Sequence, residues 1–331
     1  MNKEIERKLM AILEILSTSQ EPVGATYISN KLLERGITLS ERGVRYHLRI
    51  MDERGLTRVI GKEGRVITEK GKEELKNALA ADKIGFIISK ISSLAFQTSL
   101  DINTGKGNVI LNISFIPRAK LKKALSVMKR VFDEGYGIST RIAVFEKEEE
   151  EIFPGVVVPE KEAIIGTVCS VTIHGILLKQ GIPVDAKFAG ILEIKERNPI
   201  RFLEIITYEG TTIDPLEIFI KSKMTSILSA VKNGNGKILA TLREIPSIAI
   251  EDTERIFKEI RNIDFQGNIL LGKPNQEILG IPVSFGKVGL VIVGGLNPLA
   301  AVEEAGISAQ HKAMGMLYEY SKLSPIKEFL S

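Results

Sequence analysis

The strongest constraint on this 331-residue chain is that much of it is written twice. Residues 110–117, ILNISFIP, match residues 239–246, LATLREIP. Each proline leads into an amphipathic helical pattern, RAKLKKALSVMKRVF in one place and SIAIEDTERIFKEI in the other. Further on, IGTVCSVTIHGILLKQGI (165–182) aligns without a gap with LVIVGGLNPLAAVEEAGI (290–307). The match runs on through Lys187 and Gly190, opposite Lys312 and Gly315. Such self-similarity marks a supersecondary unit that buries its apolar face against its own copy. Residues 82–194 and 214–319 therefore read as two strand–helix–strand, strand–helix modules. The expected fold is an α+β or α/β domain of two α/β repeats related by a pseudo-twofold axis. The strands read from AKFAGILEI and RFLEIITYEG are assigned to the first copy only.

The first 75 residues lie outside the repeat and have a different pattern. Ile5, Leu9, Ile12, Leu13 and Leu16 recur at helical spacing, and Ile28, Leu32 and Leu33 line a second, shorter helix that stops at Gly36. Ser40 is a natural N-cap for a third helix, with Glu41 in its first turn. On that helix Val44, Leu48 and Met51 share one side, while Arg42, Arg45 and Arg49 gather on the other with Tyr46 beside them. Gly55 ends it, and LTRVIGKEGRVIT follows as a hairpin carrying Arg58, Lys62 and Arg65.

Three helices and a basic hairpin make a winged helix-turn-helix. Its third helix fits the major groove of double-stranded DNA, where arginine bonds guanine or phosphate in a forked geometry. The candidate DNA-binding residues are Ser40, Arg42, Arg45, Tyr46, Arg49, Arg58, Lys62 and Arg65. The net charge of the chain is only +4, yet residues 40–65 hold seven Lys or Arg against four Asp or Glu. The basic charge is local, as a reading head requires. Gly43 is unexpected inside a helix, and His47 reads as structural. The chain therefore divides into a DNA-binding domain, 1–75, and an effector-binding and dimerisation domain, 76–331.

Each repeat contains a strand that runs through a small-residue turn into a helix. The turn is Cys169, Ser170, Val171, Thr172 in the first copy and Gly294, Gly295, Leu296, Asn297 in the second. Backbone N–H groups and the positive end of a helix dipole favour an anion at such a place. The candidate effector-binding residues are Cys169, Ser170, Thr172, His174, Lys187, Gly294, Gly295 and Asn297. Cys169 as a catalytic nucleophile is disfavoured, because Gly294 takes its place in the other copy and no His-and-acid set accompanies it. No catalytic residue is assigned.

One cysteine excludes an internal disulfide framework, and three scattered histidines offer no metal-ligand spacing. Charges interrupt the apolar positions of the N-terminus, which is no signal peptide. The apolar stretch 288–302 is short and glycine-rich for a membrane span. These features point to a cytoplasmic protein with no membrane, metal or cofactor.

GVRYHLRIMDERGLT near the N-terminus, TIDPLEIFI at 212–220 and GGLNPLAAVEEAGI at 294–307 together resemble the nitrogen-responsive transcriptional repressors of methanogenic archaea. The resemblance covers essentially the whole chain, with one effector domain after one winged helix-turn-helix. It implies a homodimeric repressor of nitrogen-assimilation genes on a palindromic operator, released when 2-oxoglutarate binds the effector domain. It also allows a hetero-partner or a basal transcription factor as an associate. Two other classes of function fit the residues: an enzyme acting on a small acid, and a ligand-free dimeric factor that recruits basal machinery.

Overall fold

The computed structural model describes residues 3–19, 21–35, 37–77, 85–147, 151–153 and 156–330. The helix stop read at Gly36, the centre of the acidic run 146–151 and residues 78–84 lie outside them. Two compact units result, one of residues 1–93 with 150–157 and one of residues 94–149 with 158–331.

In the first unit, helices α1 (Lys3–Ser17), α2 (Ala25–Leu33) and α3 (Glu41–Glu53) precede a hairpin of β1 (Thr57–Ile60) and β2 (Gly64–Ile67). Helix α4 (Glu69–Asn77) and the start of α5 (Phe86–Gln97) complete it. The apolar stripes meet in one core: Leu9, Ile12, Leu13 and Leu16 of α1, Ile28 and Leu32 of α2, and Val44, Leu48 and Met51 of α3. Ser40 caps α3, its Oγ accepting from the Gly43 N–H at 3.2 Å. A Cβ at Gly43 would stand 2.7 Å from Leu39 Cδ1, the movable end of a half-buried side chain. Gly64 has φ +142° and lies so near Val23 that a Cβ would stand 2.4 Å from backbone, which lets Val23 pair with Arg65 beside the hairpin.

The second unit holds the second repeat and most of the first, whose start as read from the sequence, up to residue 93, falls in the first unit. The first repeat runs β3 (Asn108–Pro117), α6 (Leu121–Asp133), β4 (Arg141–Phe145), β5 (Glu162–Val168), α7 (Val171–Lys179) and β6 (Asp185–Lys195). A linking strand β7 (Asn198–Thr207) and helices α8 (Pro215–Lys221) and α9 (Ile227–Asn233) follow. The second repeat runs β8 (Gly236–Pro246), α10 (Ile250–Arg261), β9 (Asn268–Leu271), β10 (Lys287–Val293), α11 (Asn297–Glu304) and β11 (Gln310–Glu319), before a two-residue strand β12 (Ser324–Pro325).

One sheet has the order β11-β3-β5-β4-β12 and the other β9-β10-β8-β6-β7, with antiparallel pairing throughout. Each repeat thus gives its last strand to the other repeat's sheet: β6 pairs with β8, and β11 pairs with β3. Two expectations change. The architecture is α+β with antiparallel sheets, so the α/β alternative does not hold. And AKFAGILEI, which is β6, has a counterpart in β11; β7 does lack one. The copies agree in detail. After each matched proline the next N–H donates to a loop carbonyl, Arg118 to Lys161 at 2.9 Å and Ser247 to Gly286 at 3.0 Å.

Candidate DNA interface and effector site

On α3 the residues opposite the core are open to solvent. Arg42, Arg45, Tyr46 and Arg49 are all exposed, as are Arg58 and Lys62 on the hairpin. The arginines are held by neighbours one turn away: Arg45 is ion-paired with Glu41, and Arg49 Nε lies 3.7 Å from Glu53. The Arg49 guanidinium also lies over the Tyr46 ring, 5.9 Å from its centroid. Pairs this exposed are worth only a few tenths of a kcal/mol, so a phosphate or base edge displaces them readily.

Arg65 is placed differently. Its Nε donates to Asp52 at 2.8 Å, and the same carboxylate accepts from the Thr57 hydroxyl at 2.6 Å. The three residues fasten the hairpin to the end of α3. Ser40 likewise spends its hydroxyl on the cap. His47 is buried, and burial, then Lys8, holds its pKa below the ordinary histidine value.

In the second unit the two strand-to-helix turns meet. A Cβ on Gly295 would stand 2.5 Å from the Val168 carbonyl and 3.1 Å from Cys169 Cα, and the Thr167 hydroxyl donates to the Gly295 carbonyl at 3.0 Å. Thr172 and Asn297, matched positions, do matched work. The Thr172 hydroxyl accepts from the Ile110 N–H at 3.0 Å. Asn297 Oδ1 accepts from the Leu239 N–H at 2.8 Å, while its Nδ2 donates to the Leu239 carbonyl at 2.9 Å. Both side chains are wholly buried and pin each turn to the first strand of its own repeat. The caps of α7 and α11, Ser170 and Leu296, make no side-chain hydrogen bond to the helix.

Lys187 lies 3.5 Å from the buried carboxylate of Glu244. His174 faces Arg243 of β8: Nη1 is 3.2 Å from His174 Nδ1. Arg243 is fully buried, its Nε and Nη2 have no hydrogen-bond partner, and Tyr208, Cys169 and Asp214 act on it electrostatically. Arg243 and Glu244 are successive strand residues and point to opposite faces, so Lys187 and His174 are not brought together. Sequence reasoning missed Arg243. The signal was there, since LATLREIP sets an arginine opposite Ser114 of the matching stretch.

Burial first, and the Arg243 charge second, depress the His174 pKa from its ordinary 6.5 to about 3. The unfolded chain therefore takes up a proton below pH 6.5 that the folded protein refuses until about pH 3. The stability tied to the neutral ring is present above pH 6.5 and falls as the pH drops toward 3, by up to about 1.4 kcal/mol per pH unit. Urea unfolding at pH 7.5 and pH 5 should show this loss. His174→Gln should flatten it; an unchanged slope in that variant would exclude the ring as its source.

Among the described residues no cluster of three or more His, Cys, Asp or Glu side chains is arranged to hold a metal, and no helix is long and apolar enough to cross a membrane.

Known proteins resemble the chain along its whole length. Residues 84–325 match the NrpR regulatory domains NRD1 and 2, and residues 10–75 match the ribonuclease R winged-helix domain. The global nitrogen regulator NrpRI of Methanosarcina mazei is 41% identical over 98% of this chain and 100% of its own length. The global nitrogen regulators NrpR of Methanocaldococcus jannaschii and Methanococcus maripaludis are 34% and 32% identical over 98% and 94% of this chain, which spans 56% and 54% of them. The crystal structure of a nitrogen repressor-like protein from Methanococcus jannaschii superposes with a TM-score of 0.62 at 31% identity, over 72% of this chain and 98% of that one. With a winged helix, a duplicated regulatory unit and relatives of this kind, the chain belongs to the NrpR family of global nitrogen regulators, which are DNA-binding transcription regulators and not enzymes.

Proposed function

We propose that this protein represses nitrogen-assimilation genes as a homodimer on a palindromic operator, and that 2-oxoglutarate bound by the repeat domain releases it. The observation that carries the reading is the exposed face of α3, where Arg42, Arg45, Tyr46 and Arg49 stand clear of the core with basic Arg58 and Lys62 on the following hairpin. One such head reads one half-site, so tight binding takes two heads spaced for successive major grooves.

The repeated strand order supports a pseudo-twofold regulatory unit, with the division of labour falling near residue 75. Cys169 of one turn and Gly295 of the other lie side by side, so a small acid bound beside them would touch both repeats. In the ligand-bound form the two heads no longer match the groove spacing. A thousandfold loss of affinity requires about 4 kcal/mol of differential binding. Gel-shift titration on a nitrogen-assimilation promoter checks this: millimolar 2-oxoglutarate should release the DNA, and a complex indifferent to it would remove the effector from the account.

A further inference from the structure

We infer that the second repeat takes one carboxylate of the effector on the Nε–Nη2 edge of Arg243, and that each chain holds one ligand. This rests on the effector reading above and adds the binding residue, its mode and the stoichiometry.

A buried charge without partners is strongly unfavourable in a fold, and proteins usually pair it or exclude it. Arg243 is wholly enclosed in the middle of β8, yet two of its three nitrogens have no hydrogen-bond partner. Those two, Nε and Nη2, form one edge of the planar guanidinium, the edge that meets both oxygens of a carboxylate in parallel. The third nitrogen, Nη1, is against His174 Nδ1, which orients the group without neutralising it. Asp214 acts on it at a distance, but Oδ1 of that carboxylate is engaged by the Leu216 N–H at 2.9 Å, capping α8. The cation is thus aimed, with Asp214, Tyr208 and Cys169 acting on its charge and its Nε–Nη2 edge left without a hydrogen-bond partner.

The other repeat supplies the control. Ser114 occupies the place of Arg243, and the cross-strand partner is His311 where the second sheet has Ala186. Ser114 Oγ and His311 Nδ1 are 2.7 Å apart, and His311 Nε2 lies 3.1 Å from Glu303. Leu299 aligns with His174. The first position therefore holds no guanidinium, and Ser114 is met there by His311, whereas at the second a small alanine stands across from Arg243 and leaves its Nε–Nη2 edge unbonded. Two turns of like geometry serve a single anion. Because Arg243 is enclosed, the ligand reaches it only when its surroundings part, among them Tyr208 just after the unduplicated β7. Binding is thereby coupled to a rearrangement between the sheets.

Calorimetry of the full chain with 2-oxoglutarate tests this. The wild type should take one ligand per chain. Arg243→Gln should bind at least a hundredfold more weakly, and Arg243→Lys, which keeps the charge and loses the fork, at least tenfold more weakly. Ser114→Ala should leave affinity and stoichiometry unchanged. Without ligand, Arg243→Gln should melt no lower than the wild type, since it removes a buried charge whose Nε–Nη2 edge has no hydrogen-bond partner; a purely structural arginine would lower the melting temperature.

Two ligands per chain, wild-type affinity in Arg243→Gln, or a collapsed Arg243→Gln beside an Arg243→Lys that binds normally would each overturn the inference. Should the wild type bind no 2-oxoglutarate, the effector assignment falls by itself. Thermal shifts with glutarate, malate and phosphate then decide the site: a shift abolished by Arg243→Gln upholds it, and none that depends on Arg243 overturns it.

Discussion

Replacing Arg42, Arg45 and Arg49 together with alanine is expected to abolish operator binding while leaving the fold intact. Each arginine that reaches a base or phosphate contributes about 1–3 kcal/mol, so the triple variant should lose at least about 3 kcal/mol, more than a hundredfold in affinity. The slope of affinity against salt should fall by about one for each phosphate contact removed. Stability should barely change, because the three side chains lie on the exposed side of α3 and their in-chain pairs with Glu41 and Glu53 are solvated. Arg65→Ala should behave differently, losing stability along with binding, since Arg65 ties the hairpin to Asp52. Anisotropy titrations at several salt concentrations, with thermal melts of the same samples, separate the two outcomes.

Asn297→Leu is expected to be the most damaging single substitution of the turn residues. It strips a buried Leu239 N–H of its partner at 2.8 Å and takes one donor from the Leu239 carbonyl, which keeps a second from the Gly294 N–H at 2.8 Å. An orphaned buried donor costs about 1–3 kcal/mol. With the lost second bond and the misfit of leucine, the total is roughly 2–4 kcal/mol. For a unit of this size that corresponds to a fall in melting temperature of roughly 5–15 °C. Thr172→Val, at the matched position, removes the acceptor of the Ile110 N–H and a longer 3.3 Å bond to the Ile110 carbonyl, but changes shape little and should cost about half as much. Equal and negligible effects in calorimetric melts would show that these side chains are not pins.

The parts of this structure that sequence made visible are those written in local pattern. The alternation of Leu9, Ile12, Leu13 and Leu16 specifies a helix face. Ser40 ahead of Glu41 specifies a helix start, and the Gly-Lys-Glu-Gly turn between β-prone runs specifies the hairpin. The duplication was legible because two stretches align residue by residue. What pattern alone does not carry is pairing over long separations. Nothing in AKFAGILEI says that β6 leaves its own repeat to join β8, and nothing in VITEK or its neighbours ties Arg65 to an aspartate thirteen residues earlier.

The site shows the same division. The twin turns were readable as small residues between a strand and a helix. Whether Thr172 and Asn297 face outward or bond a neighbouring strand depends on where that strand lies. Lys187 stands out as one of a matched pair of lysines, yet its position is set by Glu244 across the sheet. Arg243 lies in a short stretch that the two copies share, at a position where the other copy has Ser114, and only the fold shows that it is buried.

The most direct test is a titration of the wild-type chain onto promoter DNA, followed by fluorescence anisotropy with and without millimolar 2-oxoglutarate. The account predicts tight, salt-sensitive binding that the acid reverses, and no comparable binding by the Arg42, Arg45 and Arg49 triple variant under the same conditions. Promoter binding of equal strength in the triple variant, with or without the acid, would contradict it.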